Sequence, residues 1–77
     1  MTSARAQLKA FAWAQVMDVV MFRPHLLRPR HRAYIERRLM DVARRNLIGL
    51  ERSVYQRAMH TELRRARMAV ASNGASS

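Results

Sequence analysis

The feature that most constrains this chain is the scarcity of residues that interrupt helices. Its 77 residues include two glycines and two prolines, and the prolines lie close together, at positions 24 and 29. A proline removes a helical hydrogen bond and disfavours helical backbone at the residue before it. Most residues outside this segment favour helix. The sequence therefore predicts an all-α fold, a helical hairpin of two long helices joined at the prolines.

The predicted hairpin forms one small domain over residues 1–77. Thr2 or Ser3 can cap the first helix, because a hydroxyl oxygen accepts hydrogen bonds from the free N–H groups of the first turn. Pro29 suits the start of the second helix, where its missing N–H costs nothing. The predicted parts are a helix over 3–22, a connector over 23–29 rich in proline and arginine, a helix over 30–71 and a flexible tail over 72–77.

The apolar stripe of the second helix changes side near its middle, by roughly half a turn at 100° per residue. The first stripe comprises Ile35, Leu39, Val42, Ala43, Leu47, Leu50, Val54 and Ala58, and the second comprises Ile48, Tyr55, Met59, Leu63, Ala66 and Val70. Asn46 and Gly49 lie near the crossover. Either the helix breaks there and folds back, which makes three helices, or it stays straight and meets different partners on its two sides. A glycine inside a helix costs about 1 kcal/mol relative to alanine, which favours the break.

The chain is both strongly basic and strongly apolar. It carries 15 Lys plus Arg against 5 Asp plus Glu, a net charge of +10, and 49% of it is hydrophobic. That apolar fraction excludes a disordered basic tail. A core in a chain below about 80 residues rarely supplies more than ~3–5 kcal/mol, however, and the absence of cysteine excludes disulfides and zinc–thiolate sites as additional stabilisation. We therefore expect other protein subunits to complete the fold.

The first helix is apolar on nearly all sides from Ala10 to Phe22, where Gln15 and Asp18 are the only polar side chains. Such a helix is normally buried on several sides, and Asp18 is expected at an exposed edge. A span of about 13 residues is too short to cross a bilayer, which needs ~20 apolar residues, so the chain is not expected to span a membrane. The predicted protein-interface residues are Phe11, Trp13, Val16, Met17, Val20, Phe22, Leu39, Leu47, Leu50 and Val54.

Arginine supplies almost all of the positive charge, because Lys9 is the only lysine. Arg37, Arg44 and Arg45 recur at helical spacing opposite the apolar stripe, where they can follow a phosphate backbone. Arginine also binds phosphate and carboxylate groups with two parallel hydrogen bonds. The predicted anion-binding residues are Arg28, Arg30, Arg32, Arg37, Arg38, Arg44, Arg45 and Arg52.

Acidic side chains are too few to neutralise these arginines. Glu36 can reach Arg32, and Asp41 can reach Arg37 or Arg45, each pair contributing ~0.2–0.5 kcal/mol. At least five arginines in this region are left without an acidic partner. A solvated charged face, or codon bias in a GC-rich genome, would give the same excess of arginine without a partner. The net charge nevertheless favours an anionic partner, namely RNA, DNA, an acidic protein or an anionic lipid surface.

The aromatic residues do not form a recognised nucleic-acid-binding module. Phe11, Trp13 and Phe22 could stack on bases, but their place in the apolar helix favours packing. Tyr34 and Tyr55 are expected at the boundary of the core, each with a buried ring and a solvated hydroxyl group. Contacts to nucleic acid are therefore expected at phosphates.

Neither a metal site nor a catalytic site is expected. His25 and His31 are six residues apart across a proline and His60 lies alone, whereas helical metal ligands are three or four residues apart. Ser53 and His60 could share a helix face near Glu62, but a helical hairpin offers neither an oxyanion site nor a cleft. We expect no enzyme activity, no cofactor and no small-molecule substrate.

These observations predict a non-catalytic accessory subunit of a large assembly, either an organellar ribosome or a respiratory-type membrane complex. It would bind RNA or anionic lipid through its arginines. Residues 1–17 lack acidic residues and carry Arg5 and Lys9, a composition that resembles a mitochondrial targeting helix. One alternative is a free-standing dimeric nucleic-acid-binding regulator. Another is a peripheral membrane-binding amphipathic protein, with the first helix lying in the lipid interface.

Overall fold

The computed structural model describes residues 3–75, with side chains described as far as Ser72. Its elements are α1 (Ala4–Phe22), two 3₁₀ turns (Pro24–Leu27 and Pro29–His31), α2 (Arg32–Asn46) and α3 (Leu50–Ala75). The described residues contain no strand. The predicted all-α fold is confirmed. Of the two alternatives for the second predicted helix, the broken form is observed, so residues 3–75 form three α-helices.

The ends of the helices differ from the predicted boundaries in two places. A 3₁₀ turn that begins at Pro29 precedes α2, which therefore starts at Arg32 rather than at residue 30. The last helix continues to Ala75, beyond the predicted end at residue 71, because Gly74 keeps helical backbone. Residues 72–75 of the predicted flexible tail are thus helical, and 76–77 lie outside the described residues.

Ser3 and Arg23 bound the first helix. The Ser3 Oγ accepts a hydrogen bond of 3.1 Å from the backbone N–H of Ala6, which satisfies one of the free donors of the first turn. Thr2, the other predicted cap, lies outside the described residues. At the far end Arg23 leaves helical backbone (φ −140°, ψ 51°), as expected for the residue before Pro24.

A short turn reverses the chain between α2 and α3. Leu47 is extended (φ −126°, ψ 154°) and Gly49 adopts a left-handed φ of 58°, which a residue with a Cβ rarely tolerates. The Glu51 carboxylate accepts a 3.0 Å hydrogen bond from the Ile48 N–H, which closes the turn immediately before α3. The apolar stripe of the sequence thus changes side at the point where one helix ends and the next begins.

The first and third helices run in the same direction, with α2 antiparallel to them. Lys9 and Ala58 line the groove between α1 and α3 near one end, and Val20 and Val70 line it near the other. The order is opposite between α2 and α3. There the Tyr55 hydroxyl group donates to the Leu39 carbonyl (3.0 Å), and His60 lies 3.6 Å from Glu36. The amino ends of α1 and α3 therefore lie at the same end of the bundle.

All three helices and the first 3₁₀ turn contribute to one core. The buried side chains are Ala12, Val16, Val19, Leu26, Leu27, Ile35, Leu39, Ala43, Tyr55, Met59 and Leu63. Tyr55 corrects a prediction, because its hydroxyl group is not solvated: the residue is fully buried, and its ring lies 5.5 Å from the Phe11 ring. Tyr34, in contrast, is exposed.

Candidate anion-binding surfaces

Most acidic side chains already have partners within the protein. The ion pairs are Arg32–Glu36 (3.3 Å), Arg44–Asp41 (2.8 Å) and Arg65–Glu62 (3.1 Å), and the His60 ring lies 3.6 Å from the Glu36 carboxylate. Glu51 accepts a hydrogen bond from the Ile48 N–H, and Asp18 is exposed, as predicted for its edge position. Exposed pairs of this kind contribute about 0–1 kcal/mol each to the stability of the fold. They matter here because they determine which arginines remain without an acidic partner. Most arginines have no acidic partner among the described residues.

The predicted arginine face of α2 is exposed, but its members have different surroundings. Arg44 pairs with Asp41 three residues earlier, so the prediction that Asp41 would pair with Arg37 or Arg45 is wrong. Arg37 is exposed without a partner among the described residues. Arg38 and Arg45, seven residues apart on the helix, line a groove against α1. Their guanidinium groups remain available to an anion.

Arg23, at the end of α1, lines the same groove as Arg38 and Arg45, which has a volume of about 210 Å³. Asp18 and Asp41 line it as well. Two carboxylates beside three guanidinium groups leave a small local excess of positive charge. This groove is therefore a weak candidate for binding a polyanion.

Arg52, predicted to bind an anion, instead caps the carboxyl end of α2. Its Nε donates to the Leu47 carbonyl (2.8 Å) and its Nη2 donates to the Arg44 carbonyl (3.1 Å). The last carbonyls of a helix lack helical partners and carry a partial negative charge, which a cation stabilises. These bonds use two of the five N–H donors of Arg52 and hold its guanidinium group at the end of α2, and its anion-binding role stays a prediction.

The three predicted anion-binding arginines of the connector and the start of α2 also have different partners. Arg32 pairs with Glu36, and the Arg30 Nε donates to the Nε2 of His31 at 3.3 Å. Arg28 is exposed and lines a cavity together with residues of α3. The connector therefore does not present its arginines on one continuous face.

A strongly basic concavity lies between the amino-terminal halves of α1 and α3. We call it the amino-end cleft; it has a volume of about 420 Å³ and is lined by Arg5, Lys9, Val54, Arg57, Ala58, Thr61, Glu62 and Arg65. Glu62 and Arg65 neutralise each other. Arg5, Lys9 and Arg57 form no ion pair or hydrogen bond with other side chains in the described part of the chain. Three unpaired cations thus converge on one cleft.

Helix direction adds to the positive potential of this cleft. The amino end of a helix carries about half a positive elementary charge, and its effect is confined to the first turn. Arg5 lies in the first turn of α1, which has no acidic residue, so the positive end of α1 lies at the cleft. The third helix adds little, because its first turn contains Glu51 and its cleft residues begin only at Val54. The sequence alone did not reveal the cleft, because its two sides are about fifty residues apart and meet only if the second predicted helix breaks.

The predicted protein-interface residues fall into three groups according to how deeply they are buried. Val16 and Leu39 lie in the protein's own core, with 1% and 5% of their surface exposed, so an interface role for them is wrong. Trp13, Phe22 and Leu50 are exposed and remain available to a partner. The half-buried residues are Phe11, Met17, Val20, Leu47 and Val54.

The residues considered for catalysis do not form a site. Glu62 pairs with Arg65, and His60 contacts Glu36 on another helix. Within residues 3–75, no three side chains of the types that bind metals come together. No helix in the described range has the length and hydropathy needed to cross a membrane. The chain matches no protein-family model, no curated protein and no solved structure.

Proposed function

We propose that this protein is a non-catalytic accessory subunit of a ribonucleoprotein assembly and binds RNA through the phosphate backbone. The observation that carries the proposal is the amino-end cleft, where Arg5 and Lys9 of α1 face Arg57 of α3 without acidic partners among the described residues. An RNA strand carries one negative charge per phosphate. Its binding here would release counterions and relieve repulsion among the three cations.

The chemistry of the cleft favours phosphate contact over base recognition. Apart from its charged residues, the cleft is lined by Val54, Ala58 and Thr61, which provide no aromatic platform for stacking bases. Cationic side chains that meet only phosphates bind RNA with little dependence on sequence. Arg38 and Arg45 on α2 are proposed as weaker contacts, because two carboxylates share their groove.

Three exposed side chains support the part of the proposal that concerns protein partners. Trp13 is 52% exposed, Phe22 72% and Leu50 84%. Large apolar side chains in contact with water are favourable sites for burial against another subunit, each yielding at most about 1.5–3 kcal/mol because each is already partly covered. The protein would then contact RNA at the cleft and other subunits elsewhere.

The salt dependence of RNA binding tests this proposal. A triple variant, Arg5→Gln with Lys9→Gln and Arg57→Gln, is compared with the unmodified protein by fluorescence anisotropy of a labelled RNA hairpin over a series of salt concentrations. The slope of log K against log salt is negative, and each lost phosphate contact lowers its magnitude by about 0.7–0.9. We expect the magnitude of the slope to be smaller by about 2–3 in the triple variant than in the unmodified protein.

Arg52→Gln is the matched control, because Arg52 is exposed but its guanidinium is bound to backbone carbonyls. Its slope should equal that of the unmodified protein, and Arg38→Gln with Arg45→Gln should lower the magnitude of the slope by less than the triple variant does. An unchanged slope in the triple variant would contradict the role of the cleft. Tighter binding to anionic vesicles than to RNA at the same salt concentration would identify anionic lipid, rather than RNA, as the partner.

A further inference from the structure

A second cavity, larger than the amino-end cleft, lies at the opposite end of the bundle. Its volume is about 610 Å³, and it is bounded by the first 3₁₀ turn and the carboxyl-terminal part of α3. Pro24, Leu27 and Val70 give it a largely apolar wall, and Arg28 and Arg67 contribute two cationic side chains. This size and this mixture of an apolar wall with a few polar groups are typical of small-molecule sites.

Arg67 is unusual among the arginines. Its Nε and Nη2 atoms are shielded from solvent and have no hydrogen-bond partner in the described part of the protein. A guanidinium donor removed from water without an acceptor is costly, and a carboxylate is the acceptor that matches its planar fork. All five acidic residues are either paired elsewhere, bonded to a backbone N–H group or, for Asp18, directed to another groove. No acidic side chain of the described chain satisfies Arg67.

We propose that this cavity binds a small amphipathic carboxylate, with its apolar chain against Leu27 and Val70 and its carboxylate group on Arg67. Binding requires the Arg67 side chain to turn, because its Nε and Nη2 atoms are shielded and reach the cavity only after such a movement. Arg28 lines the same cavity and adds a second positive charge. A compact inorganic anion would leave the apolar wall uncovered, and a neutral alkyl chain would leave the Arg67 nitrogens without an acceptor. The cavity therefore selects for both features in one molecule. The site is distinct from the amino-end cleft and does not depend on RNA binding.

The Nε–H group of Arg67 provides a direct readout. Sodium octanoate is titrated into the ¹⁵N-labelled protein below its micelle-forming concentration, and the arginine Nε–H signals are followed by NMR, with Arg67→Lys used to assign the Arg67 signal. We expect that signal to shift and saturate. Acetate, which lacks the chain, and 1-octanol, which lacks the charge, should each bind at least about tenfold more weakly.

Arg67→Gln should weaken octanoate binding by about tenfold or more, because a hydrogen bond between charged groups is lost. Arg64→Gln, an exposed position on the same helix, is the matched control and should bind as the unmodified protein does. Equal binding of octanoate and 1-octanol, unchanged binding in Arg67→Gln, or no saturable shift would overturn the proposal. If Arg67→Gln does not fold, as judged by circular dichroism, the comparison of the three ligands on the unmodified protein decides.

Discussion

At the scale of single residues, Tyr55 joins the three helices. Its ring packs against Phe11 of α1 and its hydroxyl group donates to the Leu39 carbonyl of α2. Burial removes water from the phenol and so disfavours the phenolate, which raises the pKa of Tyr55 from 10.0 to about 12. One side chain thus combines apolar burial with a buried hydrogen bond. Its raised pKa makes the stability of the core depend on pH in the alkaline range.

The raised pKa predicts a loss of stability at alkaline pH. Above pH 10 the unfolded chain releases the Tyr55 proton while the folded protein keeps it, so the free energy of unfolding falls as pH rises towards 12. From pH 8 to pH 11 the loss attributable to this residue is about 1.4 kcal/mol. Urea unfolding at the two pH values measures it.

Tyr55→Phe separates the hydroxyl group from the ring. At pH 8 the variant should be less stable by about 1 kcal/mol, because one buried hydrogen bond is lost. Its further loss between pH 8 and pH 11 should be smaller than that of the unmodified protein by about 1.4 kcal/mol. An equal alkaline loss in both proteins would assign the effect to other groups.

At the scale of elements, the turn between α2 and α3 determines which helices meet. Gly49 supplies the left-handed backbone, Glu51 closes the turn before α3, and Arg52 caps the end of α2. Without this reversal the core positions of α3 would not face those of α2 and α1. The turn is therefore the local feature on which the amino-end cleft depends.

Gly49→Ala tests the conformational requirement of this turn. No atom lies within 4 Å of the position that a Cβ would occupy, so the cost comes from the backbone alone. We expect a loss of about 1–2 kcal/mol in the free energy of urea unfolding, because alanine disfavours a φ of 58°. Gly49→Asn should lose less, since asparagine tolerates left-handed backbone. Equal losses in the two variants would count against a backbone origin.

At the scale of the whole molecule, self-repulsion opposes folding. A net charge of +10, which already counts all five acidic side chains, is confined to a body with principal extents of 42 × 27 × 18 Å. The screening length falls from about 10 Å at 0.1 M salt to about 3 Å at 1 M. Added sodium chloride should therefore screen the repulsion and stabilise the folded protein.

We expect the urea midpoint to rise between low and high concentrations of sodium chloride. Arg37→Gln with Arg64→Gln removes two exposed positive charges and should reduce this rise. A midpoint that falls with salt would mean that the surface ion pairs contribute more than the repulsion costs. The same screening weakens RNA binding, so stability and RNA affinity should respond to salt in opposite directions.

The sequence by itself determined the helical character, the first helix and the place where the apolar stripe of the second helix changes side, but it left open whether the helix breaks there. These features follow from local chemistry: Ser3 caps α1, Pro24 ends it, and Gly49 interrupts a stripe that changes side at that point. The excess of arginine over acidic residues was also readable directly. Burial of Val16, Leu39 and Tyr55 was not assigned correctly, because it depends on neighbours distant in sequence.

Only the tertiary structure decided which charges are free and which surfaces they share. Arg52 carries the same charge as Arg57, yet the first binds the end of α2 and the second lies in the amino-end cleft. Helix periodicity places a side chain on one side of its own helix but does not say which helix packs there. The parallel arrangement of α1 and α3 brings Arg5 and Arg57 together, and that arrangement follows from the packing of three helices around one core.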